Sequence, residues 1–184
     1  MKTKKLILYV VLAIVLLALG FVAYTMLTTR SHSPADQVVY TDGDFNLTLD
    51  YCKPYKKERL VFGPESSEAL VPYGKYWRTG ANEAAEIEFS HDISIQGKSI
   101  PAGRYRFYTI PDQDSWEIAL NSELGKWGAF EPDYELDIIR VPVPSEKSSI
   151  LTEQFTIVST DMGDNALSVI LSWDDTKVSI PISY

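Results

Sequence analysis

The chain has 184 residues, of which 45% are hydrophobic and 12% aromatic, and its formal net charge is −8. This much apolar material excludes an intrinsically disordered chain, and the acidic charge excludes duplex nucleic acid as a partner, because DNA binding depends on basic groups that displace counterions from phosphates. A single cysteine excludes an intramolecular disulfide framework, and two histidines leave little for a zinc site.

The first element is an uncharged apolar run over residues 6–27. As a helix with a rise of about 1.5 Å per residue it is about 33 Å long, which is enough to cross the hydrocarbon core of a bilayer. A cleaved signal peptide is the alternative, with the cut at Ala18-Leu19-Gly20, but such peptides have an apolar stretch of only about 7–15 residues. We therefore expect an uncleaved transmembrane signal anchor.

The charges on the two sides of this run predict its orientation. Three lysines lie within residues 1–5, whereas residues 31–184 carry 13 basic and 25 acidic side chains, a net charge of −12. Because short basic flanks stay in the cytoplasm, we expect residues 1–5 to form a cytoplasmic flank. The part of the chain that follows the helix is then expected to be exported.

The exported part begins with residues 28–37, which are small and polar and include Pro34, so we predict a short tether there and a single domain over residues 38–184. In this domain apolar and polar side chains alternate with a period of two, the pattern of strands with one buried face. Turn residues such as Gln96-Gly97 separate these segments. The predicted strands are 45–51, 85–89, 93–95, 104–110, 116–120, 137–143, 155–159, 167–173 and 178–182.

This spacing of short strands predicts the fold class. Eight to ten strands separated by turns are typical of an all-β fold, here an antiparallel β-sandwich or a jelly-roll-like domain. One short helical turn is expected near residues 66–70, and the sequence has no internal repeat and no sign of a second domain. The predicted architecture is therefore one N-terminal transmembrane helix followed by an all-β domain.

The segment 72–84 concentrates unusual residue types, with two glycines, three aromatic residues, an arginine, an asparagine and a glutamate. As a ligand site it supplies an aromatic platform, a planar cation that fits a carboxylate or phosphate, and polar groups that orient the ligand. As structure it is a long connection plugged by Trp77 and held by an Arg78–Glu83 ion pair. Both interpretations remain open. With a tryptophan from a glycine-flanked loop, the candidate ligand-binding residues are Trp77, Arg78, Asn82, Glu83 and Trp127.

Five segments of the chain are similar to a known bacterial family. They are 73–84 (Tyr-Gly-Lys-Tyr-Trp-Arg-Thr-Gly-Ala-Asn-Glu-Ala), 97–105 (Gly-Lys-Ser-Ile-Pro-Ala-Gly-Arg-Tyr), 108–111 (Tyr-Thr-Ile-Pro), 116–118 (Trp-Glu-Ile) and 126–128 (Lys-Trp-Gly). Over residues 38–182 the chain resembles the family of domains of unknown function numbered 2911. The resemblance implies a β-rich exported protein of Bacteroidota or related bacteria, and it implies no established activity. Together with the anchor it predicts a single-pass inner-membrane protein with a periplasmic C-terminal domain.

Patterns for catalysis and for metal binding are weak. Neither histidine follows a nucleophile-elbow motif, and the chain has no glycine-rich phosphate loop. Asp112 and Asp114 fit an oxygen-only calcium site, but acidic residues in turns usually serve the turn itself. A carboxylate pair for glycoside hydrolysis, such as Glu83 with Glu123, depends on a separation that the sequence does not give. We predict no metal and no cofactor.

These features favour three functions, in order. The first is a noncatalytic membrane-anchored β-sandwich that binds a protein partner or scaffolds a membrane complex on the periplasmic side. The second is a small-ligand or carbohydrate-binding module around the loop that carries Trp77, Arg78, Asn82 and Glu83. A carboxylate-dependent hydrolase is third, so an enzyme is the less favoured class. The expected partners are the membrane through residues 6–27, a protein in or at the membrane, a small ligand under the second function, and no nucleic acid.

Overall fold

A computed structural model describes the backbone of residues 2–184 and the side chains of residues 5–25 and 28–184. The chain divides into two units, Met1–His32 and Ser33–Tyr184. Most of the predicted basic flank, residues 1–5, lies outside the described side chains. The second unit is described throughout.

The first unit is one helix, α1 (Lys2–His32). Its apolar run contains no proline and is rich in leucine, which is a strong helix former. Within the stretch Lys5–His32 an 18-residue window has a mean hydropathy of 3.1, none of that window is buried, and by length and composition the helix can cross a membrane. The prediction of one long apolar helix before the domain is confirmed. Such a helix is compatible with a membrane anchor or with a signal sequence.

The helix extends beyond the predicted span of residues 6–27. It ends at His32 and the first strand begins at Ala35, so helix and strand occupy most of residues 28–37, where the sequence predicts a tether. The polar residues at the end of the helix fit into it because the hydroxyls of threonines donate to carbonyls one turn earlier. These donors are 2.5–2.8 Å from their acceptors and belong to Thr25, Thr28 and Thr29.

The second unit is built from strands, which make up 53% of the chain. Two short 3₁₀ turns accompany them, Glu65–Ser67 and Tyr134–Leu136. The strands are β1 (Ala35–Asp42), β2 (Phe45–Cys52), β3 (Phe62–Gly63), β4 (Val71–Pro72), β5 (Ala85–Phe89), β6 (Ile93–Ile95), β7 (Lys98–Ile100), β8 (Gly103–Ile110), β9 (Ser115–Asn121), β10 (Asp137–Gly163) and β11 (Ala166–Ser183).

Nine of these strands form one antiparallel sheet in the order β1-β2-β5-β8-β9-β10-β11-β6-β7, while β3 and β4 form a separate parallel pair. Strand β10 belongs to two ladders. Its first part pairs with β9, where Val141 lies opposite Ile118, and its second part pairs with β11, where Ile157 lies opposite Leu171. The long strand thus runs from one half of the sheet into the other.

The two halves of the sheet face each other. The ring of Tyr51 in β2 contacts the ring of Phe155 in β10 edge-on, with centroids 5.6 Å apart, and the Ile157 amide donates to the Tyr51 hydroxyl at 2.9 Å. One apolar core fills the space between the halves. It includes fully buried leucine and isoleucine side chains from both, namely Leu47, Leu49, Ile118, Leu120, Leu167 and Leu171.

The predicted all-β antiparallel fold is confirmed, and the strand bounds differ in two respects. The predicted strands 137–143 and 155–159 are parts of one strand, β10, and 167–173 and 178–182 are parts of β11. Strand β1 is absent from the prediction because only Val38 of its eight residues is buried. An edge strand with so little burial lacks the alternation that identifies a strand.

Candidate functional site

Trp77 lies in the core of the domain. It is 6% exposed, and its indole Nε1 donates to the Gly80 carbonyl at 3.1 Å, so its polar atom is satisfied within the protein. A ligand has almost no Trp77 surface to contact, so the Trp77 side chain fills the core and does not form a binding surface. Its ring centroid is 4.9–5.7 Å from the rings of Phe62, Trp116, Phe155 and Trp173.

A tight turn fixes the residues that follow Trp77. Thr79, Gly80 and Asn82 have positive φ angles of 54°, 144° and 61°. Gly80 lies against strand β2, and a Cβ at this position would be 2.7 Å from the Cys52 carbonyl oxygen. Only glycine adopts such a φ without strain and leaves room for that carbonyl. The turn therefore sets the direction in which the next side chains point.

The residues after this turn pair with the β9–β10 loop (residues 122–136). The Gly128 amide donates to the Asn82 carbonyl at 3.0 Å, and the Ala84 amide donates to the Lys126 carbonyl at 3.2 Å. Gly128 also makes room for the Arg78 side chain, because a Cβ there would be 2.6 Å from Arg78 Cδ. The structure thus brings together four of the candidate residues, Arg78, Asn82, Glu83 and Trp127.

Arg78 is half-buried beside this pairing. Its Nη1 donates to the Asn82 carbonyl at 3.3 Å, and among the described residues it forms no ion pair. The predicted Arg78–Glu83 pair is therefore wrong, because the Arg78 stem lies over Gly128 and the guanidinium turns to a backbone carbonyl. Burial lowers the pKa of Arg78, and the positive charge of Arg106 lowers it further.

The other three candidate residues differ in their exposure. Asn82 is 7% exposed and its Nδ2 donates to the Ser33 carbonyl at 3.2 Å, so this amide supports the backbone. Glu83 Oε2 accepts from the Cys52 thiol at 3.5 Å. Trp127 is 45% exposed and presents its indole at the surface. Of the two candidate tryptophans, only Trp127 offers a face to a ligand or a partner.

A buried arginine beneath the β9–β10 loop was not among the predicted site residues. Arg106 on β8 is 0% exposed. Its Nη1 donates to Glu123 Oε2 at 3.3 Å, and its Nη2 donates to the Tyr76 hydroxyl at 2.5 Å and to the Phe130 carbonyl. The Tyr76 hydroxyl in turn donates to the Gly128 carbonyl at 3.0 Å. This cation therefore fastens the loop onto the sheet at several points.

A second polar network continues along the same strands. The Tyr108 hydroxyl donates to Asp137 Oδ2 at 2.7 Å, and Arg140 Nη2 donates to both of these groups, at 2.6 and 2.8 Å. Asn121 Nδ2 donates to the other Asp137 oxygen at 2.8 Å. The Arg140 guanidinium also lies over the Tyr134 ring, 4.8 Å from its centroid. Every charged group of this network has an opposite charge or a π face beside it.

The buried tyrosines predict how stability depends on pH. Burial raises the pKa of Tyr51 and of Tyr108, whereas unfolded tyrosine ionises near pH 10. Their contribution to stability is fully present below that pH and is lost as the pH rises toward the raised folded values. We expect the free energy of unfolding, measured by denaturant titration, to fall above about pH 10. The fall should be smaller in Tyr51→Phe, and an equal fall in both proteins would contradict this assignment.

The β9–β10 loop exposes more apolar surface than its length suggests. Five large apolar side chains lie on these fifteen residues with exposures of 40–69%, and they are Leu124, Trp127, Phe130, Tyr134 and Leu136. The same residues carry four carboxylates and one lysine, a net charge of −3. Exposed apolar side chains concentrated in this way are typical of an interaction surface.

The other residues predicted for catalysis or metal binding have structural roles or lie elsewhere on the domain. Asp112 and Asp114 line an open concavity of about 560 Å³ together with Glu117. Glu123, the proposed partner of Glu83 in hydrolysis, forms ion pairs with Arg106 and with a lysine. Among the described residues, no group of three or more histidine, cysteine, aspartate or glutamate side chains is placed to hold a metal ion.

Comparisons with known proteins agree with this fold and leave the chemistry open. No curated protein and no solved structure matches the chain. One family model does match, over residues 33–182, and its description is "Protein of unknown function (DUF2911)". The match begins two residues before β1 and covers all of the strands except the last residue of β11. The chain therefore belongs to the DUF2911 family.

Proposed function

We propose that this protein is a noncatalytic, membrane-anchored β-sandwich that binds a protein partner on the periplasmic side through the β9–β10 loop. The observation that carries the proposal is the exposure of five large apolar side chains on that loop. The loop places all five within fifteen residues, including Phe130 at 69% and Trp127 at 45% exposure, and such a concentration marks interaction sites. Aromatic side chains of this kind supply most of the binding energy at protein interfaces.

The fixed backbone of the loop supports this proposal. Three side chains donate hydrogen bonds to carbonyls of the loop. Arg106 donates to Phe130, Tyr76 donates to Gly128, and Asn121 Nδ2 donates to Asp133 at 2.8 Å. A loop that is already ordered loses little conformational entropy when a partner binds, so more of the contact energy appears as affinity. The polar networks under the loop thus prepare its apolar side chains for contact.

Charge predicts the chemistry of the partner. The loop carries four carboxylates and one lysine, and the domain from residue 31 onward has a net charge of −12. Acidic surfaces select partners whose facing surface is basic and accelerate their encounter. We therefore expect a partner with an apolar centre and a rim of lysine and arginine. With α1 as the anchor, that partner lies in or close to the inner membrane.

Residue-resolved crosslinking in intact cells tests this proposal. Lys126 lies in the loop with its side chain about half exposed, so an amine-reactive reagent should join it to lysines of one partner. The double variant Trp127→Ser/Phe130→Ser should lose that crosslink. The control Ile150→Ser/Leu151→Ser removes apolar side chains that are 74% and 69% exposed elsewhere on β10, and it should keep the crosslink.

Two outcomes would overturn the proposal. One is a Lys126 crosslink that survives in the loop variant as strongly as in the wild type. The other is an even spread of Lys126 crosslinks over unrelated abundant proteins. Both variants change surface residues, so matching melting temperatures would show that a lost crosslink reflects binding and not folding.

A further inference from the structure

Arg78 lies near the β9–β10 loop, as Arg106 and Arg140 do. Unlike them, it has no counter-ion among the described residues. Arg106 pairs with Glu123, and Arg140 pairs with Asp137. Among the described residues, Arg78 has one hydrogen bond, from Nη1 to the Asn82 carbonyl at 3.3 Å, and no carboxylate. A half-buried guanidinium in so acidic a domain ordinarily finds a carboxylate, because burial without a partner is costly.

One edge of the Arg78 guanidinium is open. Nε and Nη2 of Arg78 have no hydrogen-bond partner within the described part of the chain. The described buried side-chain atoms that lack a partner are Arg106 Nε and Trp116 Nε1, so the unpaired Arg78 nitrogens reach solvent. Nε and Nη2 lie side by side in the plane of the group, and together they form the two-point fork that binds a carboxylate.

The surroundings of this edge favour an anion. Burial lowers the pKa of Arg78, Tyr76 opposes this, and the charge of Arg106 lowers the pKa a little further, but an arginine keeps its proton at neutral pH. Arg106 already has a carboxylate partner, Glu123, whereas Arg78 has none among the described residues. A bound anion would supply that missing partner. Gly128, which has no side chain, lies directly against the Arg78 stem and leaves it room.

We propose that Arg78 is the recognition residue of a site for a small organic carboxylate, which it binds through Nε and Nη2. The planar fork matches both carboxylate and phosphate groups, but proteins usually hold a phosphate with several cations or with a row of backbone amides, and here a single guanidinium edge is open. Trp127, next to Gly128 and 45% exposed, offers an aromatic surface for the apolar part of such a ligand. The site shares Trp127 with the partner surface proposed above, but its recognition residue, Arg78, is not part of that surface.

Equilibrium titrations of the full-length protein in uncharged detergent micelles test this proposal. Tryptophan fluorescence and melting temperature are followed at constant ionic strength with acetate, phenylacetate, neutral phenylacetamide and inorganic phosphate. We expect saturable binding of both carboxylates, tighter for phenylacetate, and no binding of phenylacetamide. Arg78→Gln should weaken carboxylate binding at least about tenfold, which is what the loss of a charge-assisted pair implies.

Two further variants keep the test decisive. Arg59→Gln removes the same charge from an exposed arginine whose guanidinium donates to the Tyr55 and Lys56 carbonyls, and this variant should bind carboxylates as the wild type does. Arg78→Lys keeps the charge but lacks the fork, so it should bind several-fold more weakly even if Arg78→Gln folds poorly. No saturable carboxylate binding, equal binding by Arg78→Gln and Arg59→Gln, or phosphate binding as tight as phenylacetate would each overturn the proposal.

Discussion

Trp77→Ala should lower the free energy of unfolding by about 3–5 kcal/mol, which is the usual cost of replacing a large aromatic core residue by alanine. The indole is 6% exposed and contacts the rings of Phe62, Trp116, Phe155 and Trp173. Its removal leaves a cavity where the two halves of the sheet meet, and the Gly80 carbonyl loses its donor. For a domain of this size the melting temperature should fall by about 6–20 °C.

Trp127→Ala is the matched control for this change. It removes the same side chain from a position that is 45% exposed, so the free energy of unfolding should change by about 1 kcal/mol or less. Both variants are compared with the wild type by chemical and thermal unfolding of the full chain in detergent. Similar losses in the two variants would contradict the assignment of Trp77 to the core and of Trp127 to the surface.

Gly80→Ala should destabilise the domain by roughly 2–5 kcal/mol, because it adds backbone strain to a steric clash. At a φ of 144° an alanine is strained whatever the space around it, and its Cβ would be 2.7 Å from the Cys52 carbonyl oxygen. To relieve the clash, strand β2 or the turn must shift. Such a shift would also displace Arg78 and Asn82, so carboxylate binding should weaken together with stability.

Gly74→Ala, in the same segment, separates the two causes. Gly74 also has a positive φ, 70°, but a Cβ there would have no atom within 4 Å. Its alanine variant therefore carries only the backbone strain, about 1 kcal/mol. Unfolding free energies from denaturant titration distinguish the two variants. If Gly74→Ala costs as much as Gly80→Ala, the close approach to Cys52 is not the reason why position 80 is a glycine.

The sequence predicts the fold well wherever one face of a strand is buried. In β2, residues such as Phe45, Leu47 and Leu49 are buried and alternate with exposed or half-buried ones, so the strand is visible in the sequence. The alternation is weak in β1 and in the middle of β10, where most side chains face solvent. Hydrogen bonds to a neighbouring strand hold such segments, and hydrophobic periodicity does not report those bonds.

The site is predictable only in part, for a similar reason. The sequence identifies the segment 73–84 and Trp127, and the structure brings Arg78, Asn82, Glu83 and Trp127 together. The sequence does not reveal that Arg106 is buried. This arginine occupies a position of β8 where the alternating pattern predicts a polar, solvent-exposed side chain. Its burial depends on a loop that begins more than ten residues later in the chain. The tyrosines at 76 and 108 are the available sequence signal, since arginine often lies over tyrosine rings.

Strand β10 joins the two halves of the sheet into one cooperative unit. Its first part is hydrogen-bonded to β9 and its second part to β11, so both halves contain the same strand. The apolar core is likewise shared by both halves. The domain is thus expected to lose its structure in a single step, with no stable half-sheet left behind as a template for aggregation.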